Sequence, residues 1–117
     1  MISIQHEGKL TVATVMGEFK IADYRQFEDE IGAQLKRVGK INLLIDLRGM
    51  LDYTLDVALE DIRFARKHAH DMGRIAIISE QEMVAWIALL TDLFVDTEIQ
   101  VFDDEAMARE WLDEKAA

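Results

Sequence analysis

The chain has 117 residues, of which 50% are hydrophobic and 31% charged, and carries a net charge of −10. That length suits one domain with its own core, and a field of that sign repels a phosphate backbone and anionic lipid, which sets aside nucleic acid and stable membrane insertion. The absence of cysteine rules out disulfides, a thiolate nucleophile and cysteine-bound zinc, and it fits a reducing, cytoplasmic setting.

Ile2 and Ile4, then Leu10, Val12, Thr14 and Met16, alternate at period two on either side of "HEGK". They predict an antiparallel hairpin that turns at Gly8. The start of the chain has no basic stretch leading into an apolar run, so it does not read as a signal peptide. The longest apolar run, Met83 to Leu90, is too short to span a bilayer.

From Ile21 the period changes. Ile21, Tyr24, Phe27, Ile31, Leu35 and Val38 recur every three or four residues, with charges between them and Gly39 beyond. This is an amphipathic helix with a glycine C-cap. "INLLIDL", Ile41 to Leu47, is apolar on both faces until Asp46, as a central strand should be.

A second helix is predicted from about Leu55 to Met72, with Leu55, Ala58, Leu59, Ile62, Ala65, Ala69 and Met72 as its inner stripe and Gly73 as its stop. "RIAIIS" reads as a third core strand. Ser79 and Glu82 then stand three apart before an apolar run, the spacing of a capping box. The helix they open ends near Phe94. "EIQVF" is the last strand, and Asp103 or Asp104 caps a final helix with Ala106, Met107, Trp111 and Leu112 inside. The order is β-β-α-β-α-β-α-β-α with short connections. Right-handed crossovers make the later strands parallel.

With this order, "LLIDLRGM" resembles the strand-to-helix segment of STAS domains, the anti-sigma-factor-antagonist fold. The chain is closer to the SpoIIAA-like subfamily of small bacterial proteins. "IADYRQFEDEI", Trp86 in the third helix and the ending "VFDDEAMAREWL" carry that resemblance over nearly the whole chain. It implies a single α/β domain over residues 1–117: a mixed five-stranded sheet with four helices mainly on one face, similar also to the lipid-binding CRAL-TRIO fold. STAS switches carry an Asp-Ser pair where the strand gives way to the helix, and its serine is phosphorylated. Laying Asp46-Leu47 on the STAS Asp-Leu puts Thr54-Leu55 at that pair. Leucine cannot take a phosphoryl group, so the phosphoserine switch is not carried over. Thr54 is a weak phosphorylation candidate at a helix N-terminus, but a threonine there is first of all an N-cap.

Asp46, Asp52 and Asp56 cluster near this junction and could bind a divalent cation. Each also has its own explanation: a strand exit, a turn and the first turn of a helix. No metal site is predicted. His68 and His70 are two apart and point to nearly opposite sides of a helix. With Arg63, Arg66 and Lys67 they form a basic helix end, a solvated charge cluster or a docking patch. There is no nucleophile elbow, dinucleotide fingerprint or Walker loop, so no cofactor is expected.

"MVAWIALLTDLF", Met83 to Phe94, has no charge between Glu82 and Asp92, whereas a surface helix should show a polar face. Its own core, a second copy of the chain or an apolar ligand could cover it. Val57 and Phe64 lie off the predicted stripe of the second helix and would extend this apolar surface.

The function expected is a non-catalytic regulatory or protein-interaction domain of the SpoIIAA-like type, binding a protein partner or itself as a homodimer. Its candidate contact residues are Arg48, Asp52, Tyr53, Thr54, Val57, Phe64, Trp86, Ile87 and Leu90. At the end of a central strand Arg48 can pair with a carboxylate or hold an anion. The alternative is a carrier for a small apolar or anionic ligand, with CRAL-TRIO-like lipid binding as the example.

Overall fold

The computed structural model describes residues 1–68, 70–80 and 97–116. The predicted third helix, with Trp86, Ile87 and Leu90, and Glu82 of the predicted capping box lie outside the described residues. In chain order the elements are β1 (Ile2–Glu7), β2 (Leu10–Phe19), α1 (Ile21–Val38), β3 (Ile41–Tyr53), α2 (Leu55–Lys67), β4 (Met72–Ile78), β5 (Glu98–Phe102) and α3 (Glu105–Ala116). The strands form one sheet in the order β1-β2-β3-β4-β5. β1 and β2 are antiparallel, with Glu7 opposite Leu10. Every later pair is parallel, as predicted. The hairpin turns through Gly8 at φ +63°, a left-handed backbone that glycine adopts without a Cβ penalty.

Side chains alternate across the sheet and so build two apolar layers. Ala13, Val15, Ile41, Leu43, Leu47, Ile75 and Ile77 face α1 and α2, where Tyr24, Phe27, Ile31, Val57, Phe64 and Ala65 meet them. Leu44, Ala76 and Ile78 face the other way, against Ala108 and Leu112 of α3, with Leu10, Val12, Phe102 and Trp111 at the margin. The described helices therefore lie two on one face and one on the other, where four mainly on one face were expected. The reason is connectivity. α1 and α2 are crossovers between neighbouring parallel strands, and the right-handed rule sends both to the same side. Among the described residues α3 does not link two strands of the sheet, so the rule does not bind it, and it covers the second face of the buried central strands.

Several expectations about α2 need correction. Its inner stripe is Val57, Phe64, Ala65 and His68, all buried, whereas Leu59 is 57% exposed. Val57 and Phe64 are core residues and extend no outer apolar surface. The helix ends at Lys67, with the His68 N–H bonded to the Phe64 carbonyl as its C-cap. Met72 is the first residue of β4, not the end of a helix. Gly73 stops nothing: it sits inside β4 beside Asn42, whose side-chain oxygen accepts from the Arg74 N–H at 2.7 Å. A Cβ on Gly73 would fall 2.1 Å from that oxygen. In α3, Asp104 is the cap, accepting from the Ala106 N–H at 2.9 Å. The buried residues there are Ala108 and Leu112, and Met107 and Ala106 are exposed.

Candidate functional site

β3 is longer than predicted. It continues past Leu47 to Tyr53, paired with β2 on either side of two irregularities. Asp46, Arg48 and Asp52 thus lie within a strand, and the strand-to-helix junction begins at Thr54. The pairing is irregular. Thr14 faces Asp46 and Met16 faces Gly49, so β3 uses three steps where β2 uses two. Gly17 faces Met50 and Glu18 faces Asp52, which leaves Leu51 without an opposite residue. Such bulges twist a strand and re-aim its side chains. Leu51 is 84% exposed, Tyr53 42% and Met16 48%. These exposed apolar side chains stand at the outer end of the β2–β3 ribbon, with Met16 opposite Gly49 and Tyr53 opposite Phe19. Leu51 and Met16 were not among the predicted contact residues, because period-two alternation carries no sign of a bulge.

Arg48 is held rather than free. Its Nε and Nη2 donate to the two carboxylate oxygens of Asp46 at 3.0 and 2.8 Å, and its backbone N–H donates to the same carboxylate at 3.0 Å. This planar fork-to-fork pairing is the stronger kind of charge-assisted bond. The Arg48 hydrogen bond holds the Asp46 carboxyl below the usual carboxylate range, although partial burial opposes it. Nη2 of Arg48 also lies 3.4 Å from Glu105. Glu105 accepts from Arg109 at 2.9 Å, and Arg109 reaches Glu7 at 3.1 Å. The charges alternate in sign from β3 across α3 to β1.

The remaining junction residues serve the backbone. The Asp52 carboxylate accepts from the Tyr53 N–H at 2.8 Å. Thr54 stands at the N-cap position with extended backbone, but its hydroxyl makes no capping bond. It donates instead to Asp56, whose carboxylate also accepts from the Val57 N–H at 3.0 Å. Asp56 thereby places its charge at the positive end of the α2 dipole. The expected side-chain cap by Thr54 is absent because the nearby carboxylate is the stronger acceptor. Asp46, Asp52 and Asp56 each serve a different local partner, and among the described residues no three His, Asp or Glu side chains converge as a metal site.

The helices meet again at the opposite pole of the domain. There the C-terminal ends of α1 and α2 border a groove of about 670 Å³. His68, expected in a solvated cluster, is buried. Its ring lies 4.6 Å from that of Phe64 and its Nδ1 is 2.7 Å from the Asp71 carboxylate.

A mixed five-stranded sheet with an antiparallel first pair, two crossover helices on one face and a terminal helix on the other defines a compact class of α/β domain. The chain belongs to the SpoIIAA-like family, whose model matches residues 10–113. It is similar to the crystal structure of an uncharacterized protein of the DUF3478 family with a SpoIIAA-like fold from Shewanella loihica PV-4. That match has 25% identity and a TM-score of 0.74, covering 96% of this chain and 92% of that one. It also shares its fold with the anti-sigma factor antagonist SpoIIAA in its unphosphorylated form, at 11% identity and a TM-score of 0.65, covering 97% and 98%. No curated protein matches the sequence. No helix among the described residues is long and apolar enough to cross a membrane.

Proposed function

We propose that residues 1–117 form one non-catalytic regulatory or protein-interaction domain, working in the cytoplasm by contact and without a phosphoserine switch. The observation that carries this reading is the bulged end of β3, where Leu51, Tyr53 and Met16 stand exposed beside Arg48 and Asp52. Tyr and Met are enriched at protein contact surfaces, and an exposed Tyr and Met stand at this end of the ribbon with charged neighbours in sequence. Family membership supports the same class of role. Thr54-Leu55 at the junction offers no serine, and the Thr54 hydroxyl is already engaged with Asp56.

The test is a photo-crosslinking amino acid placed at Leu51 in the native host. The expected result is a discrete adduct, with a partner or at twice the chain mass, that is lost in a Tyr53→Asp variant with unchanged thermal stability. An absence of discrete adducts at Leu51 and at Tyr53 would sink the reading. A carrier role for a small apolar or anionic ligand is the second reading, and the groove between the ends of α1 and α2 favours it. Native mass spectrometry of freshly purified protein checks it by a co-purifying adduct.

A further inference from the structure

We infer that the groove between the C-terminal ends of α1 and α2 binds a small organic anion, with its carboxylate or phosphate group seated among Lys36, Lys40, Lys67 and His70. The inference rests on the carrier reading and is independent of the contact surface at Leu51, which lies at the other pole.

The charge distribution is the first support. Acidic residues outnumber Lys and Arg by 23 to 13 in the chain, yet the folded helices bring Lys36, Lys40, Lys67 and His70 around one concavity. The sequence shows two separate basic stretches, Lys36 to Lys40 and Arg63 to His70; the fold sets residues of both on one concavity. Arg48, Arg63, Arg74 and Arg109 each lie within ion-pair distance of a carboxylate. Among the described residues Lys36, Lys40 and Lys67 make no pair within that distance, as is also true of Lys9, Lys20, Arg25, Arg37 and Arg66; what sets the three lysines apart is that they border one groove. Compensation of a helix dipole accounts for cations in a last turn, which covers Lys36 and Lys67. Lys40 lies beyond the end of its helix.

The shape is the second. About 670 Å³ lies within the usual range of small-molecule sites. Gly32 and Ala33 line the groove, and Leu35 adds an apolar contribution. Gly32 is in the middle of α1, where glycine is among the poorest choices for a helix. A Cβ there would meet nothing within 4 Å, so close packing does not require the glycine. What its lack of a side chain provides is open space in the groove.

The groove is also polarised. Glu28 and Asp29 line it from one part of α1 and Lys36 from another, about 12 Å apart along the axis at the α-helical rise. A ligand would place its anionic group toward Lys36 and Lys40 and a neutral or cationic part toward Glu28, with Lys67 near enough to act on the Glu28 carboxyl. Asp71 is occupied by His68. This arrangement favours a compact molecule with one anionic end over an extended acidic peptide.

The experiment is a titration of the full chain, followed by amide chemical shifts at low ionic strength, with citrate in one arm and inorganic phosphate in the other. The expected result is saturable movement centred on Gly32, Gly39, Lys40 and His70, weakened about tenfold or more in a Lys36→Gln/Lys40→Gln variant. The probe that saturates at lower concentration identifies the head group. A Gly32→Met variant, which keeps every cation and fills the space, should weaken binding of citrate as well. Unsaturable drift with both probes, or saturation that the double variant leaves unchanged, overturns the inference. Crosslinking at Leu51 is unaffected by either outcome, so the two proposals fail separately.

Discussion

The Tyr24 hydroxyl donates to the Asp61 carboxylate across the seam between α1 and α2. Tyr24 is buried, with its ring 5.7 Å from Phe19, 5.5 Å from Phe27 and edge-on to Phe64 at 6.2 Å. Burial, followed by the adjacent Asp61 charge, pushes its phenol well above the usual tyrosine range. The hydroxyl therefore stays protonated and serves as a fixed donor. Tyr24→Phe keeps the aromatic packing and removes that donor. A hydrogen bond to a charged group contributes about 1.5–3 kcal/mol, so the variant should lose stability of that order. Urea unfolding checks it, and an unchanged midpoint would mean that solvent meets the carboxylate equally well.

The same pair explains why the inner face of α2 was hard to read. Asp61 is polar and lies on the side that α1 covers, so periodicity assigned that side to solvent and chose Leu59 and Ile62 instead of Val57 and Phe64. Only the partner Tyr24, 37 positions away, makes an aspartate acceptable there. By contrast α1 and the hairpin turn were legible, because the helical period and Gly8 mark them even though α1 buries Gln34. The inner face of β2 was not, since Thr11, Ala13 and Val15 are buried there instead of the alternating Leu10, Val12, Thr14 and Met16. The proposed contact surface was half legible. Tyr53 and Asp52 stood out as junction residues. Leu51 did not, since its exposure follows from an extra residue in β3 relative to β2. The groove was legible on one side only: Lys67 and His70 stood out as a basic helix end, but that Lys36 and Lys40 of another segment border the same space follows only from the fold.

Arg74 fastens α3 to the sheet. Its guanidinium lies 4.5 Å from the Trp111 ring centroid, and Nη1 donates to the Trp111 carbonyl at 2.6 Å. Glu98 on β5 is 3.4 Å away. Nε is buried without a partner among the described residues, a cost that these contacts offset. Arg74→Met keeps most of the stem packing and loses the cation–π contact and the carbonyl bond. Relief of the orphaned Nε returns part of that loss. The net decrease should be about 1–2 kcal/mol, read by denaturant unfolding together with the change in Trp fluorescence. A variant as stable as the parent would assign the helix docking to Ala108 and Leu112 alone.

The Asp46–Arg48 pair gives a pH signature with a definite sign. The folded carboxyl titrates below its unfolded value. Its stabilising contribution is therefore present above the ordinary carboxylate range and is lost as the pH falls through the lower folded value. Asp46→Asn should be less stable than the parent near neutral pH, and the gap should narrow as the pH drops below about 4. Urea midpoints measured from neutral to acid pH decide this. A gap that stays constant would show that the fork geometry, which Asn partly preserves, matters more than the charge.

Two glycines, Gly32 and Gly73, should respond in opposite directions to one added methyl group. Gly32 lies inside α1 with open space around a Cβ, so Gly32→Ala removes the helix penalty of glycine and should add about 0.5–1 kcal/mol of stability. For a domain of this size that raises Tm by about 2–6 °C. Gly73 lies in β4, where the new Cβ would come within 2.1 Å of the Asn42 oxygen. That oxygen is fixed by the Arg74 N–H at 2.7 Å. It can move away only by giving up that bond, so Gly73→Ala should cost about 1–3 kcal/mol. Thermal melts of the two variants test the account directly. Space around the Cβ predicts opposite signs, whereas propensity alone predicts that both substitutions stabilise. A rise in Tm for Gly73→Ala would show that the Asn42 bond contributes little to how β3 and β4 are joined.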